Sequence, residues 1–287
     1  MRRWRAASLL ALVLLAGCAR AGVPTSPDPG LQRGIAVPSA RLRGPDFPTM
    51  VRWLAENGFD HLRVDLASGS PELPRLLDLV SHQRLGLLLG WPEPATDPEA
   101  VGRRARRIRD YRGPLWLVLP AREPAAARAQ LAALRREDAS RVAVVGPALL
   151  EPRDPNLVRG FELRADARDP AAPAGGVSEP SDTSPPAGAA GRDTDMDRIA
   201  AFSAWASRTG RPVHCLGFGI ARGAVQAALR DAYYDERIAA LEQHGISWTL
   251  RDAHGHFDVL DAKGYLIPGV MAALGRDRPR PQDLRTR

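Results

Sequence analysis

Short apolar runs alternate with amphipathic stretches from residue 34 onward. Eight runs are rich in Val, Leu and Ile without strict polar alternation: Gly34–Pro38, His61–Ala67, Leu85–Trp91, Pro114–Pro120, Arg141–Gly146, Leu157–Leu163, Pro212–Phe218 and Ile246–Leu250. Strands buried on both faces read this way. Between them, apolar residues recur at helical spacing. Phe47, Met50, Val51 and Leu54 follow the i, i+3, i+4, i+7 rule, and Gly58 stops that helix. Leu73, Leu76, Leu77 and Val80 repeat the pattern. Asp97 and Pro98 supply a cap and a first-turn proline for a third helix, with Val101, Ala105 and Ile108 as its inner stripe. Ala127, Leu131 and Leu134 mark a fourth, and Ile199, Phe202 and Ala206 another that ends at Gly210.

Eight βα units in about 250 residues predict a (β/α)8 TIM barrel. An open doubly wound sheet is the competing arrangement. The fifth and sixth strands follow each other too closely for a full helix, which predicts a reduced fifth helix. The interval after strand 6 holds Asp169 to Asp193, made mostly of Ala, Pro, Gly, Ser and Asp. That composition predicts a disordered βα loop. Residues 34–276 are assigned to the barrel and 277–287 to a disordered tail.

The N-terminus has a different pattern. Arg2, Arg3 and Arg5 form a positive segment, and Ala6 to Leu15 is an apolar run too short to span a bilayer. Leu15-Ala16-Gly17-Cys18 follows and resembles the lipobox of bacterial lipoproteins, in which the cysteine is diacylated and becomes the new N-terminus. An ordinary secretory peptide with a chance cysteine is the alternative. Residues 1–17 then form a signal peptide and 18–33 a Pro- and Gly-rich tether. The resemblance implies a lipid anchor at Cys18 in the cell envelope. Ala19, in place of Asp, favours the outer membrane if the host is Gram-negative. Cys215 is the other cysteine, so no intramolecular disulfide forms once Cys18 is lipidated.

Composition adds exclusions. The 287 residues are 44% hydrophobic and 25% charged, which rules out full disorder, collagen and a coiled coil. Net charge is +7, and removal of residues 1–17 lowers it to +4. Lys263 is the sole lysine among 40 basic residues. Such a bias, with much Ala, Gly and Pro, reflects genome composition and does not point to nucleic acid. The run Arg103 to Arg112 holds six arginines and is read as a solvated outer face.

Several segments, in order and spacing, resemble glycoside hydrolase family 5, the cellulase-type barrels. Arg33-Gly34-Ile35 is similar to that family's first strand. Gly58-Phe59-Asp60-His61-Leu62-Arg63-Val64 resembles its second-strand signature, and Arg122-Glu123-Pro124 its Asn-Glu-Pro motif after strand 4. Leu134 to Gly146, Trp205 to Val213, Gly245-Ile246-Ser247-Trp248 and Phe257 to Asp261 are similar to later segments. The resemblance implies retaining hydrolysis of β-glycans by two glutamates, with no cofactor and no metal. One protonates the leaving oxygen and the other attacks the anomeric carbon.

Glu123 fills the acid/base position. The nucleophile belongs in a Gly-Glu-Phe-Gly pattern, and the chain reads Leu216-Gly217-Phe218-Gly219, which puts Gly217 there. Further departures fall at substrate-binding positions. Arg122 replaces the asparagine beside the acid/base, Trp91 the strand 3 histidine, and Arg251 the sugar-platform tryptophan. The strand 6 His-x-Tyr reads Glu162-Leu163-Arg164. Arg63, which the resemblance assigns to orienting the nucleophile, remains. Trp91 and Trp248 either stack sugars or fill the barrel top, and Glu123 either donates a proton or only serves a helix start.

Two readings follow. The first is a lipid-anchored barrel that binds or processes a polysaccharide, or meets an envelope protein, with catalysis impaired by Gly217. The second is an active O-glycosyl hydrolase that pairs Glu123 with a non-standard carboxylate, Glu162 or Asp252. Gly217, Gly219 and Gly223 form a weak match to a dinucleotide loop without the acidic residue that should follow. His254 and His256 lack the further ligands of a metal site.

Overall fold

The computed structural model describes residues 32–67, 69–92, 97–121, 123–146, 154–163, 194–220, 226–251, 257, 259 and 266–275. Eight strands form a closed parallel barrel: β1 (Arg33–Ala36), β2 (His61–Asp65), β3 (Gly86–Gly90), β4 (Leu115–Val118), β5 (Val142–Val145), β6 (Leu157–Glu162), β7 (Val213–Phe218) and β8 (Ser247–Leu250). Each lies within its predicted run or one residue outside it. Pairing of β1 with β8, Gly34 opposite Thr249, closes the sheet and excludes the open arrangement.

The helices are α1 (Phe47–Glu56), α2 (Leu73–His82), α3 (Pro98–Ile108), α4 (Pro124–Glu137), α5 (Thr194–Thr209), α6 (Ala227–Gln243) and α7 (Pro268–Ala273). Their ends carry the chemistry seen in the sequence. Asp97 Oδ1 accepts from Glu99 N at 2.9 Å at the start of α3. Gly58, with φ of +86°, takes the left-handed turn after α1. Among the described residues no helix lies between β5 and β6. The chain re-enters at Asp154, whose carboxylate is 2.7 Å from Arg135 Nε and whose carbonyl accepts from Arg211 Nη1 at 2.9 Å. Residues 1–31, with Cys18, the stretch 164–193 and the tail from 276 lie outside the described residues.

The core has two concentric layers. Inside the barrel, Leu88, Trp116, Val144, Val158 and Leu216 pack together. Outside it, strand residues such as Ile35, Leu62, Leu87 and Leu117 meet the inner stripes of the helices, among them Val51, Leu54, Val80, Val101 and Leu134. Most strand positions on both faces are therefore apolar, which is why most strands read as continuous runs. The floor of the barrel is polar. His61 and His214 each lie 2.9 Å from the Thr249 hydroxyl, and all three are fully buried. Gly34 faces this layer, where a Cβ would collide with the His61 ring.

One expectation fails at α3. Arg104 does not join the solvated face. It is fully buried, Nη1 donates to Gly90 O at 2.5 Å, Nη2 donates to Leu66 O, and its guanidinium lies 3.8 Å over the Trp91 ring. Its place on the stripe of Val101, Ala105 and Ile108 turns it inward, where two strand-end carbonyls accept from its Nη atoms while Nε is buried without a hydrogen-bond partner. Burial lowers its pKa to about 10, so it stays charged at neutral pH. The exposed neighbours Arg103 and Arg106 pair with Asp97 and Glu137.

Candidate active site at the barrel mouth

The C-terminal ends of the strands bring together residues far apart in sequence. On β2, side chains alternate between the two layers, so His61, Arg63 and Asp65 point inward at rising levels. Arg63 therefore climbs from the interior to the mouth. Its Nη1 donates to Leu216 O at 2.6 Å and to Glu162 Oε1 at 3.2 Å, and its Nη2 lies 3.5 Å from Asp65 Oδ2. Burial opposes the Arg63 charge, but Asp65 and Glu162 outweigh that and raise its pKa. Asp65 Oδ1 is buried without a hydrogen-bond partner, against the side of β3 that Gly90 leaves bare.

Glu162 ends β6 and bridges two guanidinia. Its Oε2 accepts from Arg251 Nη2 at 2.7 Å while Oε1 faces Arg63. The side chain keeps 46% of its surface open to the mouth. The strands around it carry register irregularities, between Phe161 and Glu162 on β6 and between Cys215 and Phe218 on β7. Bulges beside a barrel rim re-aim side chains. Here they set Glu162 level with Gly217, and Leu163 N donates to Gly217 O at 3.1 Å.

Gly217 points into this mouth. A Cβ there would stand 3.0 Å from Arg251 Cγ, 3.1 Å from Arg251 Nε and 3.6 Å from Arg63 Nη1. The stem of Arg251 thus crowds the place where a side chain at 217 would begin, and would have to give by a few tenths of an ångström. Arg251 is fixed at the end of β8 by its backbone N–H, which donates to Phe218 O at 2.8 Å.

Glu123 occupies the N-cap position of α4, and its exposed side chain makes no capping hydrogen bond there. The loop before it is held by the buried Gln130, whose Oε1 accepts from Ala121 N at 3.1 Å. Trp91 is half-buried beneath Arg104, so one face of its ring is covered. Trp248 is 1% exposed and turned to the outer layer, edge-on to Phe59 and Phe218. It is a core residue and offers no sugar-stacking face, because odd and even positions of β8 alternate and Thr249 takes the inward direction. Arg122, Arg164, Asp252, His254 and His256 lie outside the described residues. The structure thus joins Arg63, Glu162, Gly217 and Arg251, with Asp65 as a further member that sequence reading missed. Counting by two from His61 and Arg63 along β2 would have found it.

A small cavity of about 250 Å³ adjoins this group, lined by Ala36, Val37, Pro38, Ser39, Arg63, Asp65 and Pro92. Cys215, below Leu216, is a buried free thiol whose pKa burial raises to about 12, so it is chemically inert.

No family model matches the sequence, and no curated protein matches it either. Solved structures do match the fold. The cellulose synthase subunit Z of Clostridioides difficile is 17% identical with a TM-score of 0.65, over 85% of this chain and 99% of the other. Endoglucanase Cel5A of Thermotoga maritima is 18% identical with a TM-score of 0.62, over 85% and 97%. A broad-specificity GH5-4 endoglucanase of Clostridium acetobutylicum is 15% identical with a TM-score of 0.62, over 85% and 96%. The chain folds as a (β/α)8 barrel of the type found in glycoside hydrolase family 5 endoglucanases.

Proposed function

We propose that this protein is a lipid-anchored, cellulase-type barrel that engages a β-glycan at its mouth and is impaired in the retaining hydrolysis of its structural relatives. The observation that carries the impairment is Gly217, whose inward side is bordered closely by the stem of Arg251. Retaining cleavage needs a carboxylate that attacks the anomeric carbon; the family resemblance puts it at the end of β7, and glycine has none. A rotamer change at Phe218 or Gly219 cannot supply one.

The reading of a polysaccharide ligand has two supports. Cel5A of Thermotoga maritima has been solved with cellobiose and with mannotriose, on a barrel that aligns with nearly all of this one. The mouth also presents guanidinium donors and carboxylate acceptors, Arg63, Arg251, Asp65 and Glu162, suited to sugar hydroxyls. The anchor rests on the Leu15–Cys18 pattern, and two or three acyl chains would hold the protein stably at a membrane of the cell envelope.

The test is binding and turnover measured side by side on the full chain in detergent, with soluble β-glucan, mannan and xylan. At least one glycan is expected to retard the protein in affinity electrophoresis. Reducing ends should appear at least about 100-fold more slowly than with an endoglucanase assayed alongside. Absence of retardation by all three would refute the ligand class, and a rate equal to the endoglucanase would refute the impairment.

A further inference from the structure

We infer that Glu162 has taken over the place of the missing second carboxylate, so that the remaining hydrolysis runs with Glu162 as nucleophile and with Glu123, the acid/base by family resemblance, as proton donor. This rests on the reading that the mouth engages a β-glycan. Three observations meet at one point. Glu162 on β6 pairs in register with Gly217 on β7, the position left without a side chain. Neighbouring strands stand about 4.8 Å apart, roughly the reach of a glutamate side chain. A carboxylate rooted on β6 therefore reaches the mouth beside β7, where it meets Arg63 and Arg251.

The second observation is the partner. Arg63, which the family resemblance assigns to orienting the nucleophile, donates to Glu162 Oε1 at 3.2 Å. It rises from inside the barrel, tied to Leu216 O at 2.6 Å, so its guanidinium is fixed and not a mobile surface group. The third is orientation with access. Arg251 holds the other oxygen at 2.7 Å, yet the side chain remains 46% exposed toward the mouth. Each carboxylate oxygen has two lone pairs, so a charge-assisted hydrogen bond orients it and does not remove its capacity to attack. Arg251 thus has two effects: it obstructs a side chain at 217 and steadies the one at 162.

The chemistry balances with these groups alone plus water. A Glu162 oxygen forms a bond to the anomeric carbon, the bond from that carbon to the leaving oxygen breaks, and that oxygen takes the Glu123 proton. Water then adds to the anomeric carbon and gives a proton to Glu123, and the bond to Glu162 breaks.

The experiment uses the full chain in detergent with a dinitrophenyl β-cellobioside and its 2-deoxy-2-fluoro analogue. The fluoro sugar should accumulate as a covalent adduct, and peptide mass spectrometry should place it on Glu162. Glu162→Gln should lose at least about 100-fold in turnover while glycan retardation and the melting curve are kept. Added azide should rescue Glu162→Ala with release of the α-glycosyl azide, inverted because one displacement replaces two. The control Glu99→Gln, on the outer surface of α3, should turn over like wild type. A chain that binds glycan but shows no adduct, or whose turnover survives Glu162→Gln, overturns the role of Glu162 and leaves the binding function standing. A chain that binds no glycan overturns both. If Glu162→Gln does not fold, the wild-type adduct alone decides the matter.

Discussion

Acid should destabilise this barrel from within. His61 and His214 are fully buried on the barrel floor and share the Thr249 hydroxyl, each at 2.9 Å. The hydroxyl has one proton to give, so a ring that accepts it must be neutral, and its oxygen can accept from the other ring. Their Nδ1 atoms have no hydrogen-bond partner, and Trp116 packs edge-on against His214. A proton added to either ring would place an uncompensated charge in the core. Burial lowers the His61 pKa to about 3. It also lowers that of His214, with His61 and Arg63 adding to the effect. The unfolded imidazole takes its proton near pH 6.5, so acid favours the unfolded chain. The stability is fully present above about pH 6.5 and is lost as pH falls toward 3. At pH 5 the His61 contribution alone amounts to a loss of about 2 kcal/mol, a large part of a typical domain's stability. The assay is urea unfolding at pH 7.5 and pH 5.0 for wild type and His61→Gln, which keeps a polar group near Thr249 and removes the titration. The stability lost on acidification should be smaller in the variant by about 2 kcal/mol. Equal losses in the two proteins would refute the argument.

Other outcomes follow from the same packing. Gly217→Glu alone should not raise glycan turnover, because its Cβ would press on Arg251; Gly217→Glu with Arg251→Ala should raise it more than either change, as reducing-end release will show. Arg104→Met should lower stability by about 3 kcal/mol, read as a shift in the urea midpoint, because the carbonyls of Gly90 and Leu66 lose their donor inside the core. Arg104→Lys should recover only part of that, since an ammonium cannot both stack on Trp91 and bridge two carbonyls. Cys18→Ala should release the protein from membrane pellets, and equal pelleting of both forms without detergent would refute the anchor.

The barrel was legible because its cause is local. A strand with the apolar interior on one side and apolar helices on the other leaves a run of Val, Leu and Ile that no other short element needs. Period 3.6 in α1, α2 and α3 then supplies the helices. The same reasoning misplaced Arg104 because composition was allowed to outweigh position: its spacing from Val101 and Ile108 puts it on the buried stripe, and only the strand-end carbonyls make a charge tolerable there. Trp248 has two readings, sugar stacking or core, and position decides between them as well. Its neighbours in sequence resemble a substrate-binding segment, but period two along β8 assigns it to the outer layer.

The site divides along the same line. Absence of a carboxylate at the end of β7 is readable in four residues, Leu216 to Gly219, because a missing side chain needs no structure to see. What stands in its place is not readable, because it depends on register. Glu162 and Gly217 are 55 positions apart, and a shift of one residue between β6 and β7 would point Glu162 into the outer layer. The irregularities at Phe161 and Glu162 and on β7 decide that direction; Gly160 and Gly217 stand beside or within them, but a strand glycine does not tell which way the register shifts. Arg251 likewise reads as one more departure from the family pattern until its stem is found against Gly217 and its guanidinium on Glu162. Glycine at 217, arginine at 251 and glutamate at 162 then form one coupled group. A carboxylate introduced at 217 meets Arg251, and removal of Arg251 frees Glu162 from one of its holds, so a substitution at any of the three changes the setting of the others.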